Sequence, residues 1–161
     1  MRRRIALALL MSGVLTGSMR GQTATGTMPV SALVIKTCLV AATPMLFGSY
    51  TSSNGTPTTT TATITVTCTY GTTYQVGLDA GTSSGATTSN RSMTYLTHLL
   101  GYGIYLDSAH TDNWGNNQGV DTSAGTGNGL VQSITAYGQM AAGQYVVPGA
   151  YADTITVSTY Y

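Results

Sequence analysis

Thr61-Ala62-Thr63-Ile64-Thr65-Val66-Thr67-Cys68-Thr69 alternates threonine with small or apolar side chains and never breaks the pattern. Strand side chains point to opposite faces with a period of two. Ala62, Ile64, Val66 and Cys68 therefore share one face, and the threonines share the other. The stretch reads as a half-buried strand whose outer face is covered by hydroxyls and whose cysteine points inward.

The neighbouring sequence continues in the same style. Tyr74–Leu78 alternates after a turn at Gly71, and Tyr102–Leu106 is a further strand. Leu130–Tyr137, Gln144–Val147 and Thr154–Tyr161 are also expected as strands, and the mixed run Met93–Leu100 accommodates a short one. Between them, Asp79–Arg91 and Asp107–Gly129 are rich in Gly, Ser, Asn and Asp, which favours loops. No segment after the N-terminal region has a helical period, and no fixed repeat supports a β-helix. Short strands separated by turn clusters indicate an all-β sandwich. The 30 Thr residues suit strands, and the 20 Gly suit turns.

The N-terminus carries a different signal. Arg2, Arg3 and Arg4 precede the apolar run Ile5–Thr16, and the small residues Gly17, Ser18 and Gly21 follow. That order is a secretory signal, and the run is too short for a membrane span. The expectation is a signal peptide over residues 1–21, with cleavage between 18 and 24. No later stretch approaches a spanning length, so the mature chain is expected to be soluble or assembled at a surface.

Charge is scarce. Beyond the signal, Lys36 and Arg91 face five Asp and no Glu, a net of −3 once Arg20 is removed. Nucleic acid and anionic membrane partners need a basic patch, which this balance does not supply. Sparse lysine also leaves sheet edges weakly protected against pairing. Cys38 and Cys68 are expected to form a disulfide in an exported protein; free thiols or a metal pair are the alternatives. Two cysteines without a nearby histidine make a poor zinc site.

Catalytic constellations are hard to find. Asp107, His110 and Asp112 cluster, but Asp and Asn there also suit a turn, and the calcium-loop pattern is absent. No Gly-x-Ser-x-Gly elbow occurs. Gly125–Gly129 has no strand-to-helix context for a phosphate cradle. The expectation is a protein that is not an enzyme and takes no cofactor or metal. Trp114 is a possible surface contact for sugars, or else a core residue.

One apolar segment remains, Met28-Pro29-Val30-Ser31-Ala32-Leu33-Val34-Ile35, with Val30, Ala32 and Val34 on one face. Such a strand has to pair with a sheet, its own or another molecule's. Pro29 cannot donate a ladder hydrogen bond, so the central part is expected to begin at Val30.

Ordered matches run along the mature chain: Val30–Val34 before Cys38, Phe47-Gly48-Ser49-Tyr50, Ile64–Cys68, Tyr74–Gly81 and Arg91-Ser92-Met93. Leu100–Asp107 with Trp114-Gly115, Tyr137-Gly138, Gly149–Val157 and Tyr161 complete the series. In this order they resemble the spore coat protein U domain family, which includes subunits of archaic chaperone–usher pili. The resemblance implies an incomplete immunoglobulin-like β-sandwich that lacks its final strand and leaves an apolar groove. It implies a donor-strand segment over residues 22–36, with its strand at about Thr25–Ile35, and a β-sandwich domain over residues 37–161. The family's disulfide would map to Cys38 and Cys68, and Val30, Ala32 and Val34 would fill a neighbour's groove. Gly149 is expected to permit a turn, Tyr151 to pack ahead of the last strand, and Asp153 to bond a nearby loop.

The implied partners are like or related subunits, a periplasmic chaperone and an outer-membrane usher, with no nucleic acid and no membrane span. The implied location is the cell surface, in a fimbrium or coat, reached through the periplasm, with roles in adhesion or biofilm formation. The alternatives are an adhesive tip or carbohydrate-binding module using Trp114, and a secreted hydrolase using Asp107 and His110.

Overall fold

The computed structural model describes residues 20–161. The expected signal peptide lies outside them except for Arg20 and Gly21. The chain divides after Leu33 into two units. Among the described residues of the first, 20–33, none is in a strand and all are exposed.

The second unit holds eight strands: β1 (Cys38–Ala42), β2 (Thr58–Cys68), β3 (Thr73–Leu78), β4 (Arg91–Tyr95), β5 (His98–Tyr105), β6 (Ser123–Thr126), β7 (Val131–Met140) and β8 (Val157–Tyr160). They form a five-stranded sheet in the order β1-β2-β7-β5-β4 and a three-stranded sheet in the order β6-β3-β8. All the ladders are antiparallel. The fold is an immunoglobulin-like β-sandwich.

The alternation in β2 sets the core. Ala62, Ile64, Val66 and Cys68 are buried, while the threonines between them are only half-covered. Across the ladder Ile64 faces Ile134 and Ala62 faces Ala136, so β7 repeats the inward face of β2. From the smaller sheet β3 supplies Tyr74, Val76 and Leu78, and Ile104 of β5 and Trp114 complete the same cluster. Trp114 is 0% exposed and ties the two sheets together. Its indole N–H donates to the Val76 carbonyl at 2.8 Å, and its backbone N–H donates to Ile104 at 2.9 Å. The surface role considered for Trp114 is therefore wrong, because a fully covered ring with its one side-chain donor satisfied offers nothing to a ligand.

Cys38 and Cys68 are disulfide-bonded and face each other across the β1–β2 ladder. That ladder was not expected, since Leu39-Val40-Ala41-Ala42 carries no alternation. Three other expectations change. Met93–Leu100 is two strands split by a turn in which Leu96 has a positive φ of 53°. The loop after Asp107 contains β6, and the last strand begins at Val157 rather than Thr154. Gln144–Val147 is not a strand. There the Gln144 side chain takes the place of a strand, accepting from Gly101 N–H at 2.7 Å and donating to Gly101 O at 2.9 Å.

Candidate functional site

β1 and β8 are edge strands of different sheets. Among the described residues β1 bonds only β2, and β8 bonds only β3. Between the chain leaving β1 and the chain leading into β8 lies a groove of about 600 Å³. Ala42–Phe47 form one wall and Tyr151–Ile155 with Val157 the other, over a floor that includes Ile64, Leu78, Ile104 and Ala136. The floor is thus the apolar core itself, since these four residues belong to the buried cluster.

The first wall starts where β1 stops. Pro44 has no N–H, so the ladder cannot continue as a regular strand. Side chains take over the anchoring. Thr63 N–H donates to Thr43 Oγ1 at 2.8 Å, and Thr60 Oγ1 donates to Leu46 O at 2.9 Å. Met45 and Phe47 turn inward over Gly138, where a side-chain Cβ would collide with both. Phe47 also meets the Tyr102 ring edge-on at 5.9 Å. Gly48 has φ 72°, a conformation glycine adopts freely. The Tyr50 hydroxyl donates to Ala141 O at 3.0 Å and accepts from Gln144 N–H at 2.8 Å.

The second wall is fixed by carboxylates. Ala152 and Thr94 exchange backbone hydrogen bonds at 2.9 and 3.2 Å. Asp153 accepts from Thr82 N–H, Thr82 Oγ1, Tyr102 O–H and Thr154 N–H, each at 2.8 Å. Asp79 accepts from Thr156 N–H at 2.9 Å and from Gly81 N–H at 3.0 Å. Burial works against the Asp153 charge, but these donors outweigh it and hold its pKa below the ordinary aspartate value. Asp79 is lowered in the same way, with burial opposed by Thr156, Gly81 and Arg91. Burial, and then the bond to Asp153, pushes the Tyr102 phenol well above its usual pKa.

Arg91 lies beneath this wall, 0% exposed. Its guanidinium donates to four carbonyls: Asp79 at 2.8 Å, Thr88 at 2.6 Å, Leu78 at 3.1 Å and Trp114 at 2.8 Å. Burial lowers its pKa, opposed by Tyr102, Asp79, Asp153 and Asp121.

Phe47, Gly48, Tyr50, Gly149, Tyr151 and Asp153 all border this groove or its continuation between residues 45–52 and 146–151. Gly149 lies in a bend. The Tyr95 ring fills the space its Cβ would need, so close approach requires the glycine. Tyr151 packs on Tyr95 at 5.7 Å, and its hydroxyl donates to Val147 O at 3.0 Å. Val30 and Val34 are 84% and 80% exposed, and Ala32 is exposed as well. Sequence reasoning did not single out Met45, Asp79 or Tyr102 as site residues, although Tyr102 lies in an expected strand.

Asp107 and His110 do not converge as a catalytic pair. The Asp107 carboxylate accepts from Thr111 N–H, Thr111 Oγ1 and Asp112 N–H, and so closes a turn. The His110 ring stands edge-on to Tyr105 at 5.4 Å and to Tyr137 at 6.4 Å. Among the described residues no group of three His, Cys, Asp or Glu side chains is placed to hold a metal, and no helix is long and apolar enough to cross a membrane.

No curated protein matches the chain. Among solved structures, it is similar to a chain of the CsuC–CsuE chaperone–tip adhesion subunit pre-assembly complex from the archaic chaperone-usher Csu pili of Acinetobacter baumannii, at 23% identity and a TM-score of 0.54. The match covers 80% of this chain and 40% of that one, and it shows a shared fold. The family model for the Spore Coat Protein U domain matches residues 24–158. The chain belongs to the Spore Coat Protein U domain family.

Proposed function

We propose that this protein is a structural subunit of a surface pilus or coat that polymerises by donor-strand exchange. One observation carries the reading: an apolar groove stands open between Ala42–Phe47, the chain leaving β1, and Tyr151–Ile155, the chain leading into β8, and core residues of the sandwich floor it. A strand added along this groove satisfies backbone groups of a wall and covers the apolar floor in one step. The exposed segment Met28–Ile35 has the composition of such a strand, with Val30, Ala32 and Val34 on its inward face. A periplasmic chaperone occupies the groove first, and a neighbour's segment replaces it at an outer-membrane usher. Signal peptide, donor segment 22–36 and sandwich 37–161 are then three functional parts of one chain. Adhesion and biofilm formation are roles of the assembled fibre.

The test is a pair of changes in the segment. Deleting residues 22–35 is expected to leave a chaperone-dependent subunit that accepts a strand but cannot seed fibres. Val30→Asp or Val34→Asp is expected to abolish fibres by burying an unpaired charge. A deleted chain that is a stable monomer without chaperone and still polymerises sinks the reading. Normal fibres from either aspartate variant, seen by electron microscopy, remove that residue from the groove.

A further inference from the structure

Tyr74, Val76 and Leu78 of β3 face the core, so Thr73 and Gln75 face outward. Register extends that outer face across the three-stranded sheet. Ala124 of β6 and Tyr160 of β8 stand opposite Gln75, and Thr126 stands opposite Thr73. An open cleft of about 900 Å³ lies over these residues, and Gln118 and Tyr161 border it. It shares no residue with the groove between Ala42–Phe47 and Tyr151–Val157. The loop between β5 and β6 sets its side chains in place. Asn116 occupies the space that a Cβ on Gly77 would need. The Tyr160 hydroxyl donates to Asn116 Oδ1 at 2.8 Å, which fixes the ring. The Gln75 side-chain oxygen accepts from Thr122 Oγ1 at 2.6 Å and also from Gly119 N–H. Both of its acceptor sites are thus filled, and among the described residues the amide N–H₂ has no partner.

We propose that this cleft is a binding site for a neutral oligosaccharide. A pyranose ring has apolar C–H faces and a rim of hydroxyls that both donate and accept. The cleft answers both. Tyr160 and Tyr161 offer flat rings with a polar edge. The Gln75 N–H₂, the Gln118 amide and the Thr73 and Thr126 hydroxyls offer donors and acceptors. No charged side chain lines the cleft among the described residues, so an anionic sugar finds no cation there. A wholly apolar ligand is disfavoured for the opposite reason, since it would cut the amides and hydroxyls off from water without replacing their bonds. The volume falls in the range of small-ligand sites, about 300–1,000 Å³. Gln75 and Tyr160 are oriented before any ligand arrives, which lowers the ordering cost of binding. The site stands apart from the strand-acceptor reading. In a polymer of this chain it recurs once per subunit, and weak single sites then gain through multivalency.

The experiment is calorimetric titration of the full chain with maltohexaose, cellohexaose, mannohexaose and chitohexaose, and with hexagalacturonate as the anionic probe. At least one neutral hexasaccharide is expected to bind with a Kd between about 10 μM and 1 mM, and hexagalacturonate at least about tenfold more weakly. Tyr161→Ala and Gln118→Ala are each expected to weaken the neutral sugar by about fivefold or more. Both side chains are exposed, so neither change removes a core contact; Tyr161 is 56% exposed. Gln75→Leu, which removes the unpartnered N–H₂, is expected to weaken it further. The site is overturned if none of the neutral hexasaccharides binds at about 1 mM. It is overturned equally if hexagalacturonate binds as tightly as they do, or if a neutral sugar binds but Tyr161→Ala and Gln118→Ala leave its affinity unchanged. The last two comparisons stand even where Gln75→Leu does not fold.

Discussion

Arg91 shows how a chain with little charge spends one. Its guanidinium joins β3, the loop before β4 and the segment between β5 and β6 at Trp114 by donating to four carbonyls. A lysine cannot reproduce a planar fork with donors in several directions. Arg91→Lys should therefore lower the unfolding free energy by about 2–4 kcal/mol, since several buried carbonyls lose their donor. A urea midpoint within error of wild type would show that the carbonyls find other partners. The acid side of the profile belongs to Asp79 and Asp153. Both are held below the ordinary value in the folded protein, so the unfolded chain binds more protons as pH falls. Their contribution is complete above the unfolded aspartate value of about 3.9 and is lost as pH drops through the lower folded values. Urea midpoints should thus be level from neutral to about pH 5 and fall below about pH 4. Asp153→Asn should lower the plateau and flatten that fall. A midpoint that rises on acidification would contradict the assignment.

At the scale of elements, β1 holds one wall of the groove and is itself held by a ladder to β2 and the Cys38–Cys68 bridge. The bridge closes a loop with a sequence separation of 30 residues. Replacing both cysteines with serine should cost about 3–4 kcal/mol in the chain-entropy model. It should also cut capture of a fluorescent peptide of residues 22–36 by the groove, read by anisotropy, because a frayed β1 removes a wall. Unchanged capture at lowered stability would show that the wall stands without β1. Why β1 escaped sequence reading is clear from its makeup. Leu39-Val40-Ala41-Ala42 is a continuous apolar run, whereas β2 announces itself by strict alternation over its buried half. β6 is hidden for the opposite reason, since Ser123-Ala124-Gly125-Thr126 looks like loop and is ordered only by pairing with β3. Gln144–Val147 misleads because its strand-like composition is not matched by a ladder; a side-chain amide does the pairing instead. The site divides the same way. Phe47, Tyr151 and Asp153 stood out through the family resemblance. Met45 and Tyr102 act through contacts across the sheet that no local pattern encodes.

The whole molecule carries an exposed apolar segment and an open groove, and in the donor-strand proposal these two features complement each other from chain to chain. A head-to-tail contact between different surfaces of like subunits propagates as a fibre wherever its rotation does not close a ring. Such a polymer has two unlike ends, one with a free groove and one with a free segment. A chain lacking residues 22–35 keeps the groove and has nothing to donate, so it can be the last acceptor but never an internal link. Delivered with its chaperone at one part in about ten, it should shorten fibres to about ten subunits on average, and further in proportion to its fraction. The length distribution measured by electron microscopy checks this directly. A chain with Val30→Asp should act in the same way, since its groove is untouched while its segment is disabled. Should both variants leave fibre length unaltered while themselves appearing along the shaft, the subunits must be joined through some surface other than segment and groove.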